Sequence, residues 1–97
     1  MTSIVLQDNQ WHVAGDILVD NANAVLNESN ALEITDNLQI DFSAVNDVDT
    51  AALSLLMQWQ KRALAANKKV FFKKLPESLI SLAALYGVTD FIPLVVD

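Results

Sequence analysis

Between Leu38 and Met57 the chain changes its hydrophobic period once, and that change limits the folds open to it. Leu38, Ile40 and Phe42 alternate with polar Gln39, Asp41 and Ser43, the two-residue repeat of a half-buried strand. An acidic turn, Asn46-Asp47-Val48-Asp49, follows. Good helix formers then run on from Thr50 without Gly or Pro. The side-chain oxygen of Asp49 or of Thr50 can accept the orphan amide hydrogens of that helix's first turn. Thr50 therefore presents a hydroxyl where a strand passes into a helix, over the positive end of the helix dipole.

A chain of 97 residues has room for one core, so residues 1–97 read as a single domain. With 53% apolar residues and only 2 glycines, neither disorder nor a fibrous repeat fits. There is no cysteine, which removes disulfides, thiolate metal sites and a Cys nucleophile and suits a cytosolic protein. The first basic residue is Lys61, so residues 1–18 lack the charged start of a signal peptide. No apolar run approaches the ~18–20 residues that span a bilayer. The expectation is a soluble protein whose membrane role, if any, comes through a partner.

The net charge of −6 argues against nucleic acid, where clustered cations must neutralise phosphates. Its distribution is uneven. Lys61, Arg62, Lys68, Lys69, Lys73 and Lys74 are the only cations, and no acid lies between Thr50 and Pro76. This is either an ordinary basic helix end feeding a basic strand edge, or a patch complementary to an acidic partner surface.

Taken in order, Ser3–Gln7 and Trp11–Ala14 read as strands joined at Asp8-Asn9, a pair that tolerates the positive φ of a tight hairpin. Gly15 marks a backbone bend. Asp20 or Asn21 caps a helix to about Leu32, with Ala24, Val25, Ala31 and Leu32 facing inward. After the central strand, the helix from Thr50 runs to about Ala66, with Asn67 as a left-handed cap. Lys69–Lys73 is a compact strand edged by lysines. Pro76 opens a last helix, along which Leu79, Leu82, Ala83 and Tyr86 recur at helical spacing until Gly87. Thr89–Leu94 forms a short turn or an edge segment. The order β-β-α-β-α-β-α predicts an α/β fold, one mixed sheet of about four strands packed against about three helices.

On the wheel of the second helix, Ala52, Leu56, Trp59 and Ala63 face the sheet, opposite an arc of Thr50, Ser54, Gln58, Lys61 and Arg62. Leu53, Met57 and Leu64 flank one side of the core face and Leu55 the other. The apolar arc is about 200°, wider than the ~100° stripe of a surface helix. Neighbouring helices cover these flanks, or Leu53 and Met57 stand bare beside Thr50 as a docking patch. Methionine suits such a patch because it repacks easily.

Catalytic chemistries find little support. His12 is the only histidine, so a metal site would need carboxylates alone to complete it. It reads as a structural or surface residue. A hydrolase would need His12 to meet Ser43 or Ser54, and no nucleophile elbow is present. There is no glycine-rich phosphate loop. Asp47 and Asp49 could pair as acid and base, but an exposed turn desolvates them too little. The expectation is a protein that is not an enzyme and carries neither metal nor cofactor.

Asp41-Phe42-Ser43-x-Val45-x-x-Val48-Asp49-Thr50 resembles the signature of STAS domains, the fold of anti-sigma factor antagonists and of the cytoplasmic ends of sulfate transporters. Gly15-Asp16-Ile17-Leu18 is similar to the segment that ends their second strand. Ala51-Ala52 departs from the pattern, since many members have a glycine there. Within the family, the closing segment with Leu82-Ala83-Ala84-Leu85-Tyr86 resembles the STAS subunit of the Mla phospholipid-transport complex. That resemblance implies a cytoplasmic accessory subunit, peripheral to the inner membrane through its partner. It would dock on an ABC-transporter ATPase, and through it a permease, and support outer-membrane lipid asymmetry. Asp49, Thr50, Leu53, Ser54, Met57 and Lys61 would meet the ATPase, which would itself bind ATP. The alternative is an anti-sigma factor antagonist switched by phosphorylation at Thr50. A third class, a small-ligand or nucleotide-binding STAS module, has no residue here that argues for it.

Overall fold

The computed structural model describes residues 3–95. Asp8 and Asn9 both adopt positive φ, 54° and 59°, the turn whose twist matches that of the strands it joins. Strand β1 (Ser3–Gln7) therefore folds back antiparallel on β2 (Gln10–Ile17). Helix α1 (Ala22–Asn30) carries the chain to β3 (Leu38–Val48), and α2 (Thr50–Ala65) carries it to β4 (Val70–Lys73). Helix α3 (Glu77–Leu85) and a single 3-10 turn, Thr89–Phe91, complete the described chain. The result is the expected α/β fold, one mixed sheet in the order β1-β2-β3-β4, with β3 parallel to both neighbours.

Because β2, β3 and β4 succeed one another in one direction, right-handed crossovers place α1 and α2 on the same face of the sheet. Trp11, Val13, Leu38, Ile40, Phe42, Val70 and Phe72 are buried beneath them. Ala52, Leu56, Trp59 and Ala63 are buried from the α2 side, as the wheel requires. Edge-to-face rings run through this layer: Trp11 to Trp59 at 5.6 Å, Trp59 to Phe42 at 6.2 Å, and Phe42 to Phe72 at 6.4 Å. The outer edge of β4 is covered by the tail, where Phe72 donates to Pro93 O and Val95 donates to Phe72 O.

Several sequence expectations need correction. On α1, Val25 and Ser29 are the buried residues, whereas Ala24 and Ala31 are exposed and Leu32 is half-buried. Ser29 goes inside because its hydroxyl accepts from Trp59 Nε1 at 2.8 Å and donates to Leu26 O at 2.7 Å. Arg62 does not stand on the solvent arc. Its guanidinium donates to Ser29 O at 2.9 Å and to Leu32 O, and lies over Trp11 at 5.9 Å. It thus adds side-chain donors to the carbonyls at the end of α1 and ties that helix to α2. Residues Asn46–Val48 are not a turn but the last residues of β3. Irregular pairing with β2 around Gly15, at φ 96°, lets that strand continue beside Ile17. Tyr86, which continues the helical spacing of Leu79, Leu82 and Ala83, is exposed, because α3 ends at Leu85 and Gly87 turns the chain away at φ 69°.

On the face of the sheet away from the helices, His12 and Asp41 are cross-strand neighbours, with Nδ1 to Oδ2 at 3.2 Å. Burial pushes the Asp41 carboxyl pKa up, but hydrogen bonds from the Ser43 amide and hydroxyl and from His12, with the imidazole's charge, outweigh it and hold the pKa below 3.8. Protonating Asp41 therefore costs more in the folded chain than in the unfolded one. Its contribution is complete above the unfolded value and is lost as pH falls through the lower folded value. The expected outcome is that Asp41→Asn flattens the acid limb of Tm against pH, read by circular dichroism melts; an unchanged acid limb would refute this assignment.

Candidate partner-binding surface

The head of α2 is built by Asp49. Its Oδ1 accepts from Ala51 N at 2.8 Å, the N-cap bond, and its Oδ2 accepts from Val19 N at 3.0 Å. Its own amide donates to Ile17 O at 3.4 Å. One carboxylate thus fastens the β2–α1 connection to the start of α2. Both of its oxygens point at backbone, so Asp49 acts on this surface by position. Capping falls to Asp49 and not to Thr50, which is left exposed as the first residue of the helix, with no hydrogen bond to its hydroxyl among the described residues.

Along the same side of α2, Thr50, Ser54 and Met57 line a shallow groove of about 300 Å³ whose other wall is Tyr86 and Val88. Leu53 is its floor. Of the two alternatives for Leu53, a covered flank is the one found, since it is only 7% exposed and belongs to the core, so its place at this surface is beneath the groove and not on a bare patch. Met57 is half-buried against that core. Ser54 and Lys61 are exposed, as expected. A second hollow of about 360 Å³ continues the surface one turn on, between Met57, Lys61, Leu64 and Phe91. Of the side chains that line these hollows, Tyr86 is 58% and Phe91 59% exposed, and Leu64 is exposed too. Large apolar side chains gathered beside a free hydroxyl are the composition of a protein-binding face.

Sequence reasoning thus finds Thr50, Ser54, Met57 and Lys61 on one side of α2 but misses Tyr86 and Phe91. The signal for Tyr86 was Gly87, which ends α3 beside it; Phe91, in the 3-10 turn, had none. The six cations do not form one patch, because Arg62 faces α1 while Lys61 flanks the grooves. Among the described residues no group of three or more His, Cys, Asp or Glu side chains is placed to hold a metal. No described helix is long and apolar enough to cross a membrane.

The fold is similar to that of the anti-sigma factor antagonist SpoIIAA in its unphosphorylated form. That match covers 100% of this chain and 88% of that one, at TM-score 0.67 and 9% identity. It is also similar to part of Mglu, over 77% of this chain and 19% of that one, at TM-score 0.59 and 22% identity. At such identities the likeness is one of fold. No curated protein matches the sequence. The family model described as "Mlab, STAS domain" matches residues 2–96, and with a signature strand that feeds a hydroxyl-headed helix in place, the chain belongs to that STAS family.

Proposed function

We propose that this STAS domain is a non-catalytic accessory subunit that binds the ATPase of a phospholipid-transport ABC complex and supports its assembly or activity. Through that complex it maintains outer-membrane lipid asymmetry, and it sits in the cytoplasm, held at the inner membrane by its partner. The observation that carries this reading is the free Thr50 hydroxyl at the head of an apolar groove, left unused because Asp49 takes the capping role. The family description supports the transport context. ATP is bound by the partner.

A second reading, an anti-sigma factor antagonist phosphorylated at Thr50, is favoured by the fold shared with SpoIIAA. Affinity purification of the tagged chain from its native cells separates the two. Recovery of an ABC ATPase with its permease is the expected result. Recovery of an anti-sigma kinase that phosphorylates Thr50 would replace the first reading with the second.

A further inference from the structure

Strand β1 lies at the edge of the sheet, and among the described residues β2 is the one strand it pairs with. The two-residue hairpin fixes which of its peptide groups face outward. Gln7 and Gln10 close the turn as a hydrogen-bonded pair, so Val5 and His12 pair in the same way. Ile4 and Leu6 between them turn N–H and C=O away from β2. The side chain of Glu28, on α1, shows that outward phase directly, because its Oε2 accepts from Ile4 N at 2.7 Å. No hydrogen bond from a described residue reaches the outward groups of Leu6.

The two edges of the sheet are treated differently. The tail covers β4, whereas Ser3-Ile4-Val5-Leu6-Gln7 carries neither the charges nor the proline that ordinarily keep an edge from pairing. Val5 and Leu6 are each more than half exposed, on opposite faces of the strand. Glu28 is the one side chain seen to occupy this edge among the described residues.

We infer that the outer edge of β1 is a strand-pairing surface for a second copy of this chain, held shut by the Glu28 carboxylate on the Ile4 amide. The edge is complementary to itself. A two-fold axis through Val5 sets Ile4 opposite Leu6 of the second copy and Leu6 opposite its Ile4, so the outward groups of both residues find partners. Val5 then faces its own counterpart at a non-hydrogen-bonded position, with Cα atoms about 4.5 Å apart, and both exposed side chains are covered. Such a junction is smaller than a standard stable interface, so the intact guard is enough to keep the chain monomeric.

Sedimentation equilibrium of the wild-type chain, Glu28→Gln and Glu28→Ala tests this directly. The expected result is self-association at least about tenfold tighter in Glu28→Ala than in wild type, with Glu28→Gln between them. Leu6→Pro added to Glu28→Ala should restore the monomer. Leu6 lies at a position that gives β2 no hydrogen bond, so an edge proline there removes the outward N–H and leaves the hairpin ladder intact. Amide exchange at Leu6 should slow as the concentration of Glu28→Ala rises, a readout that Glu28→Gln repeats should the alanine variant fold poorly. A Glu28 variant that stays monomeric at millimolar concentration, or a dimer that survives Leu6→Pro, overturns the inference.

Discussion

Trp59→Ala is expected to lower the stability by about 3–5 kcal/mol, the range for deleting a large buried aromatic ring. For a domain of this size that is a fall in Tm of at least about 12 °C. Trp59 is fully buried and touches both the sheet and the neighbouring helix α1. Its ring meets Trp11 on β2 and Phe42 on β3, and its Nε1 donates to Ser29 on α1. Truncation leaves a cavity that four elements border, and none can collapse into it without moving a strand. Trp59→Phe separates the two contributions. It keeps most of the apolar area and loses the donor to a buried hydroxyl, for about 1–3 kcal/mol. Leu64→Ala, on the same helix but exposed, should fall within about 0.5 kcal/mol of wild type. Denaturant titrations of the three variants check this; a Trp59→Ala cost as small as that of Leu64→Ala would mean that α2 is not the keystone of the core.

The same contrast explains what the amino-acid order reveals and what it conceals. The switch from a two-residue to a helical period at Asp49 is a local property, and it located the central strand and the main helix and narrowed the capping residue to Asp49 or Thr50. The positive φ values at Asp8, Asn9 and Asn67 are local in the same sense, because side chains that tolerate them mark the place. Ser29 and Arg62 were misjudged for the opposite reason. A serine or an arginine goes inside only when a distant residue supplies its partner, and Trp59 Nε1 and the carbonyls at the end of α1 lie some 30 positions away in sequence. Whether Leu53 is covered and Tyr86 exposed depends on how α3 packs against α2, and hydrophobicity alone does not set that. The grooved surface was therefore legible along α2 but not on the wall that faces it.

Thr50→Glu is expected to abolish docking while leaving the fold untouched. The side chain is exposed and makes no hydrogen bond among the described residues, so replacing it removes nothing from the core. A carboxylate in the first turn of α2 interacts favourably with the helix dipole, which keeps the change in stability within about 0.5 kcal/mol. At the head of the groove the same carboxylate buries an unpaired charge beside Tyr86 whenever a partner closes over it. On the proposed function, a loss of at least tenfold in affinity for the ATPase, about 1.4 kcal/mol or more, follows. Titration calorimetry against the purified ATPase reads the loss, and a thermal melt confirms the fold. Thr50→Gln, equal in size and uncharged, tells the cause. If Gln binds like the wild type and Glu does not, charge alone releases the partner, and phosphate at Thr50, with ~1.5–2 negative charges, would act in the same direction. If both fail, Thr50 is a packed contact at the centre of the interface. If both bind like the wild type, the head of α2 is not where the partner sits.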